Sequence, residues 1–469
     1  MAWISFLVGL ISVSLAVVSG YCQSDLAVDL GYAHYQGFHN NTSSLNIWQG
    51  IRYAAPPTGK LRFQAPQPPL QESGIQKATQ VPPQCPQGNL TDFEDCLFLS
   101  VFAPPNAKNL PVFLWIHGGG FFGGSIAQYD PQFLMSFGHG SFISVVIQYR
   151  LGAYGWLAGP EIKKRESAGG GSVLLHSIAG RGSFGTSLFR QVWAASPYTP
   201  LQFDYDDEFP TNGYVKFLKL TDCYHVSDPF GCLVGLDQDT FTNASSTLQS
   251  NNIGVDYSYS AVTDHEYIQT LPSEQLTQGP VNGASILSGN NGNEGPLFVN
   301  SSITTAAEFD QYISELFSSM DNNTLAKLKR YYPESLDVGY GTGVYPALHG
   351  QDIGLHFIDQ PGSPSYLTPT AMVNAFIPMM VAYITTGNPS TPEVPFPRFS
   401  SENPSMVNFN STGKTTLTAN VPIYPAGSEI GVMQKNAMNN ITITDAYEFA
   451  SGRGQHCDFL RSYGRYIPE

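Results

Sequence analysis

The sequence predicts an α/β fold with a parallel sheet, and two stretches and the chain length carry that prediction. Residues 112–116 (Val-Phe-Leu-Trp-Ile) are a short apolar run rich in β-branched and aromatic side chains. That is the pattern of a strand buried on both faces of a parallel sheet. Residues 142–149 (Phe-Ile-Ser-Val-Val-Ile-Gln-Tyr) form a further strand. A chain of 469 residues, 42% hydrophobic with 46 Gly and 34 Pro, is compatible with one large α/β domain holding a substantial core and many loops.

The chain opens with residues 1–20, which carry no charged side chain. Residues 4–18 have the length of a signal-peptide core, and Val18-Ser19-Gly20 offers small residues for cleavage. The expectation is a signal peptide over 1–20 and a single domain over 21–469. No other stretch approaches the roughly 18 continuous apolar residues of a membrane helix. Eight Asn-x-Ser/Thr sequons, at Asn40, Asn41, Asn89, Asn243, Asn300, Asn322, Asn410 and Asn440, suit a secreted glycosylated chain. A net charge of −15 gives no general attraction for nucleic acid or anionic membrane.

Six cysteines follow the same address. Cys85 and Cys96 close one short loop, Cys223 and Cys232 another, and each pair reads as a local disulfide. Cys22 and Cys457 either tie the termini together or stay apart. The absence of a Cys-x-x-Cys motif or His-rich cluster argues against metal binding, and nothing points to an organic cofactor.

In chain order, residues 45–53 alternate as a strand does, and residues 54–69 are a proline-rich surface connection. Residues 94–101 lead into a second strand. The strand at 112–116 stops at His117 and breaks into Gly118, Gly119 and Gly120. Glycines after a buried strand leave N–H groups unshielded and free to take unusual φ/ψ. Such groups can converge on a developing oxyanion and contribute several kcal/mol to an acyl-transfer barrier.

These stretches carry a resemblance. Gly50-Ile51-Arg52-Tyr53-Ala54, Arg62-Phe63, Glu94-Asp95-Cys96-Leu97, His117-Gly118-Gly119-Gly120-Phe121 and Tyr149-Arg150-Leu151-Gly152 are together similar to the type-B carboxylesterase family. That family includes cholinesterases and fungal lipases, and the resemblance runs from about residue 30 to the end of the chain. It implies an α/β-hydrolase fold: a mostly parallel central sheet with helices on both faces, here incomplete. It also implies a secreted serine esterase or lipase acting on a small-molecule or lipid ester.

The nucleophile candidate is Ser167 in Arg165-Glu166-Ser167-Ala168-Gly169-Gly170-Gly171. The chemistry asks for a serine on a sharp strand-to-helix turn, with the following N–H as an oxyanion donor. Ala168 supplies that N–H beside Gly119 and Gly120, and residues 171–179 read as the helix the turn feeds. The motif normally begins with Gly where this chain has Arg165. Joining two parallel strands takes a crossover of about a dozen or more residues. Residues 150–165 leave too little room: 151–160 cannot form a regular helix and 161–165 are too charged for a buried strand. A crossover helix and the strand before Ser167 are missing. In the family that interval carries an Asp that pairs with the Arg of the Tyr-Arg-Leu-Gly motif, which leaves Arg150 unpartnered.

Residues 286–295 read as a strand running into a polar turn that resembles the family's acid motif, which makes Glu294 the acid candidate; the same resemblance makes Ser196 a candidate partner of that acid. In the order Ser, acid, His the histidine follows Glu294, and only His349, His356 and His456 do. His349-Gly350-Gln351-Asp352 resembles the family's histidine motif, so His349 is chosen. A second interval, with helices and a strand, is missing before it. The reading is therefore a Ser167–His349–Glu294 hydrolase. The alternatives are a catalytically impaired member, or the product of a gene model lacking internal exons.

Overall fold

The computed structural model describes residues 26–88, 92–162, 172–197, 202–250, 259–292, 294–295, 303–317, 320–331, 350, 352–357, 370–412, 415–419, 429–433 and 437–462. Its N-terminal strands are β1 (Ala27–Asp29), β2 (His34–Gln36), β3 (Phe38–Asn40), β4 (Leu45–Arg52), β5 (Ile75–Lys77), β6 (Phe98–Ala103), β7 (Val112–Ile116) and β8 (Ile143–Ile147). Two more, β9 (Gln191–Ala195) and β10 (Ser285–Gly289), follow beyond the helix Ser172–Ile178.

The main sheet has the order β3-β4-β6-β8-β7. Its first four strands pair antiparallel, while β7 and β8 pair in parallel. β9 and β10 form a separate parallel pair. Strands β1, β2 and β5 make a small sheet that packs Ala33 and Tyr35 against Trp48, Leu99 and Val101.

One face of the main sheet is well covered. The helices Gln132–Gly138 and Thr370–Thr386 lie over it, and Ile47, Phe102, Phe113 and Val146 pack there with Leu134, Ile377 and Met380. Leu287 of β10 joins the same core, so the long apolar helix spans both sheets.

The other face corrects the expectation of a strand buried on both sides at 112–116. Phe113 is buried, but Val112 is 60% and Leu114 51% exposed. Side chains alternate along a strand. The β7–β8 register sets Val112 beside Ile143, Leu114 beside Val145 and Ile116 beside Ile147, so these six share one face, and Val112 and Leu114 are exposed on it. Among the described residues β7 is also the last strand of its sheet. Ile286 of β10 is likewise 51% exposed. The apolar character is that of an interior strand, and among the described residues no layer covers Val112 and Leu114.

The connection at 54–69 is not wholly at the surface either. Arg62 and Phe63 are buried, and the Arg62 guanidinium donates two hydrogen bonds to the Glu94 carboxylate, at 2.7 and 2.8 Å. Both local disulfides are formed, Cys85–Cys96 and Cys223–Cys232. Cys457 is exposed on the helix Phe449–Ser462, and Cys22 lies outside the described residues. No helix among the described residues is long and apolar enough to cross a membrane.

Candidate active site

The glycine loop begins where β7 ends. His117 is fully buried and stacks on Tyr149 with ring centroids 4.3 Å apart. Its carbonyl accepts a 2.6 Å hydrogen bond from the Tyr149 hydroxyl, and its Nδ1 lies 2.9 Å from the Gly118 carbonyl. Burial pushes its pKa down to about 4, so the ring is neutral at neutral pH. His117 thus anchors the loop and has no exposed face for chemistry.

Beyond it the chain folds back on itself. Gly119 has φ of +125° and Gly120 of +59°. The amides of Phe122 and Gly123 both donate to the Gly119 carbonyl, at 3.1 and 2.9 Å. A Cβ at Gly119 would stand 2.0 Å from the Gly123 carbonyl oxygen, so no side chain fits there. Gln87 pins the far side, accepting from the Gly124 amide at 2.9 Å and donating to its carbonyl at 3.0 Å. Since Gln87 follows the Cys85–Cys96 disulfide closely, the cross-link braces the loop. Gly119 and Gly120 are exposed, and among the described residues their N–H groups make no hydrogen bond. A rigid loop presenting free donors is what stabilisation of an oxyanion requires.

The acid sits at the end of the other sheet. Because β9 and β10 are parallel, Ser196 and the turn after Gly289 emerge at the same end. The Ser196 amide donates to the Gly289 carbonyl at 2.7 Å. Its hydroxyl donates to Glu294 Oε1 at 2.7 Å, and the Asn291 amide donates to the same oxygen at 2.5 Å. Ser196 holds φ of +44°, a conformation that turns its hydroxyl out of strand β9 toward the acid.

Two further residues were not legible as partners beforehand. The Asn291 side chain donates to Asp352 Oδ1 at 2.8 Å, tying the acid turn to the segment three residues past His349. His356 lies 3.6 Å from the other Asp352 oxygen. Its buried ring stands between Trp115 of β7, at 5.7 Å, and Trp193 of β9, at 5.3 Å. Burial lowers its pKa, and the Asp352 carboxylate opposes that shift. With both faces enclosed, His356 is a packing element that spaces the two sheets. A residue pair this far apart in sequence leaves no periodic signal; only the short spacing from His349 to Asp352 pointed there.

Ser167, Ala168 and His349 lie outside the described residues. The structure therefore brings together Gly119 and Gly120 in one loop and Glu294 with Ser196 in another. The helix expected after Ser167 is present at Ser172–Ile178. Among the described residues no group of three or more His, Cys, Asp or Glu could hold a metal ion.

Arg150 is 3% exposed, and among the described residues none of its three guanidinium nitrogens has a hydrogen-bond partner. Glu94, the nearest carboxylate acting on it, is committed to Arg62. Desolvation pushes the Arg150 pKa down to about 10.

Comparison with known proteins gives this arrangement a lineage. Residues 24–162, which contain the glycine loop and both of its braces, match the carboxylesterase family. Lipase 5 of Diutina rugosa is 28% identical over 383 residues, 64% of this chain and 69% of that one. The secreted triacylglycerol lipase LIP1 of Gibberella zeae is 28% identical over 384 residues, 65% of each chain. The chain thus aligns with about two thirds of either lipase's length. The fold extends further: the crystal structure of Aspergillus niger EstA superposes with a TM-score of 0.75 at 21% identity, covering 94% of this chain and 99% of that one. The chain therefore keeps the α/β-hydrolase scaffold, with Val112 and Leu114 exposed on its main sheet.

Proposed function

We propose that this chain is a secreted carboxylic ester hydrolase, an esterase or lipase, working through an acyl-enzyme. Residues 1–20 are its signal peptide and residues 21–469 its single domain. Ser167 is the nucleophile, His349 the base and Glu294 the acid that orients it. The amides of Gly119, Gly120 and Ala168 form the oxyanion hole.

One observation carries the reading: the exposed, unbonded N–H groups of Gly119 and Gly120, in a loop braced so that they cannot turn away. In the proposed cycle His349 takes the proton as Ser167 Oγ attacks the ester carbonyl. The glycine amides receive the negative charge, and His349 returns the proton to the leaving alcohol. Water then repeats the sequence on the acyl-enzyme. The eight sequons and two disulfides support an extracellular address, as does the printed name of the Gibberella relative.

The test is a fluorophosphonate probe followed by peptide mapping, alongside hydrolysis of a short-chain nitrophenyl ester. Labelling at Ser167, and loss of both labelling and hydrolysis in Ser167→Ala, is expected. Labelling at Ser172 or Ser196 would overturn the assignment.

A further inference from the structure

A cavity of about 420 Å³ lies among the residues around Trp156 and Leu175. Its walls are Phe63, Trp156, Leu157, Ile162 and Leu175, all buried, with Tyr267 and His176 closing one end. The size falls at the small end of the range for ligand pockets, roughly 300 to 1,000 Å³. An apolar surround with a few converging polar atoms is the usual make-up of such a pocket.

The polar end is a defined pair. His176 Nδ1 lies 2.6 Å from the Tyr267 hydroxyl. Burial lowers the His176 pKa, so this pair is uncharged at neutral pH. Among the described residues the charged side chains in the lining are acidic, Asp264 and Glu266. Asp264 is spent on the backbone amides of Glu266, Tyr267 and Ile268. An anion entering here meets the like charge of these two carboxylates. A neutral molecule meets several aromatic faces, including Tyr154 and Tyr205, and a neutral hydrogen-bonding pair.

The glycine loop meets the cavity wall at Trp156. Trp156 packs on Phe121 with centroids 4.2 Å apart, and Phe121 directly follows Gly120. The Gly152 amide donates to the Phe121 carbonyl at 2.9 Å, which fixes that ring in place. We propose that the cavity is a binding site for a neutral aromatic molecule bearing a hydroxyl group.

The experiment uses the full secreted chain and the neutral fluorophore N-phenyl-1-naphthylamine. The probe binds, 2-naphthol displaces it, and 2-naphthoate does so at least tenfold less well. Leu175→Trp fills the cavity and weakens probe binding at least tenfold. Ala261→Phe, on a second wall, gives the same loss by a different substitution, with near-ultraviolet circular dichroism checking that each variant is folded. Leu114→Lys, on the open sheet face, leaves binding unchanged. Binding that survives both filled variants, that is lost in Leu114→Lys, or that does not distinguish naphthol from naphthoate overturns the proposal.

Discussion

The Ser196 hydroxyl donates a 2.7 Å hydrogen bond to Glu294 Oε1, across 98 residues of chain. The same oxygen also accepts from the Asn291 amide, so the carboxylate is held from two directions. A hydrogen bond to a charged group contributes about 1.5 to 3 kcal/mol. Because the Asn291 amide remains, Ser196→Ala loosens the acid without abandoning it. The expected outcome is about a tenfold slower fluorophosphonate labelling of Ser167, toward the weak end of that range. An unchanged melting temperature would show that the loss is one of orientation. Labelling at the wild-type rate would show that Ser196 does not position the acid.

That bond was legible in the sequence as a candidate, and the reason lies in the strands. Both Ser196 and Glu294 follow short apolar runs, and side by side parallel strands end together. The glycine loop was legible for a similar reason, since a strand that breaks into three glycines has few uses. The Arg62–Glu94 pair and the Asn291–Asp352 bond were not. They join loops, where no period of two or 3.6 marks which residues will meet. Exposure of Val112 and Leu114 was hidden for another reason. Composition reports that a strand is suited to burial, whereas burial depends on a covering layer supplied by other segments.

His117 makes stability sensitive to mild acid. Its folded pKa is pushed down to about 4 by burial, against about 6.5 in an unfolded chain. Above pH 6.5 the ring is neutral in both states and the full stability is present. As pH falls from 6.5 toward 4 the unfolded chain takes up a proton that the folded one refuses, and stability drops by on the order of 3 kcal/mol from this group. His176 and His356, also lowered by burial, act in the same direction. Urea midpoints measured between pH 7 and pH 4 should fall. His117→Gln should flatten that fall, and an identical slope in the variant would exclude His117 as its source.

Arg150 should be a site where removing a charge stabilises. Its guanidinium is buried without a partner, and an uncompensated buried charge is costly. Met keeps much of the length and apolar stem while removing the desolvation penalty. Arg150→Met is expected to raise stability by on the order of 1 to 4 kcal/mol, the range seen when buried ionic groups give way to hydrophobic ones. Thermal unfolding at neutral pH reads this directly. A lower melting temperature would mean that Arg150 is paired in solution.

The open face of β7 leads to the last expectation. Val112 and Leu114 are exposed on β7, the terminal strand of the main sheet among the described residues. Arg150, just beyond β8, is unpaired, and Arg165 stands where the nucleophile turn needs Gly. The sequence offers one cause for all three, a crossover helix and strand missing before Ser167. An apolar edge strand invites pairing with another copy, so the chain should aggregate and be secreted poorly. Misplacement of Ser167 relative to His349 by about 1 Å costs on the order of a hundredfold in rate. Inserting a family-like helix and strand before Ser167, with Gly for Arg165, and restoring the interval before His349, should therefore raise both soluble yield and turnover of a short-chain nitrophenyl ester. Leu114→Lys alone should improve solubility while leaving turnover low, which separates the two effects. If the unrepaired chain is soluble and turns over at the repaired chain's rate, the open face is tolerated and the missing layer does not limit this enzyme.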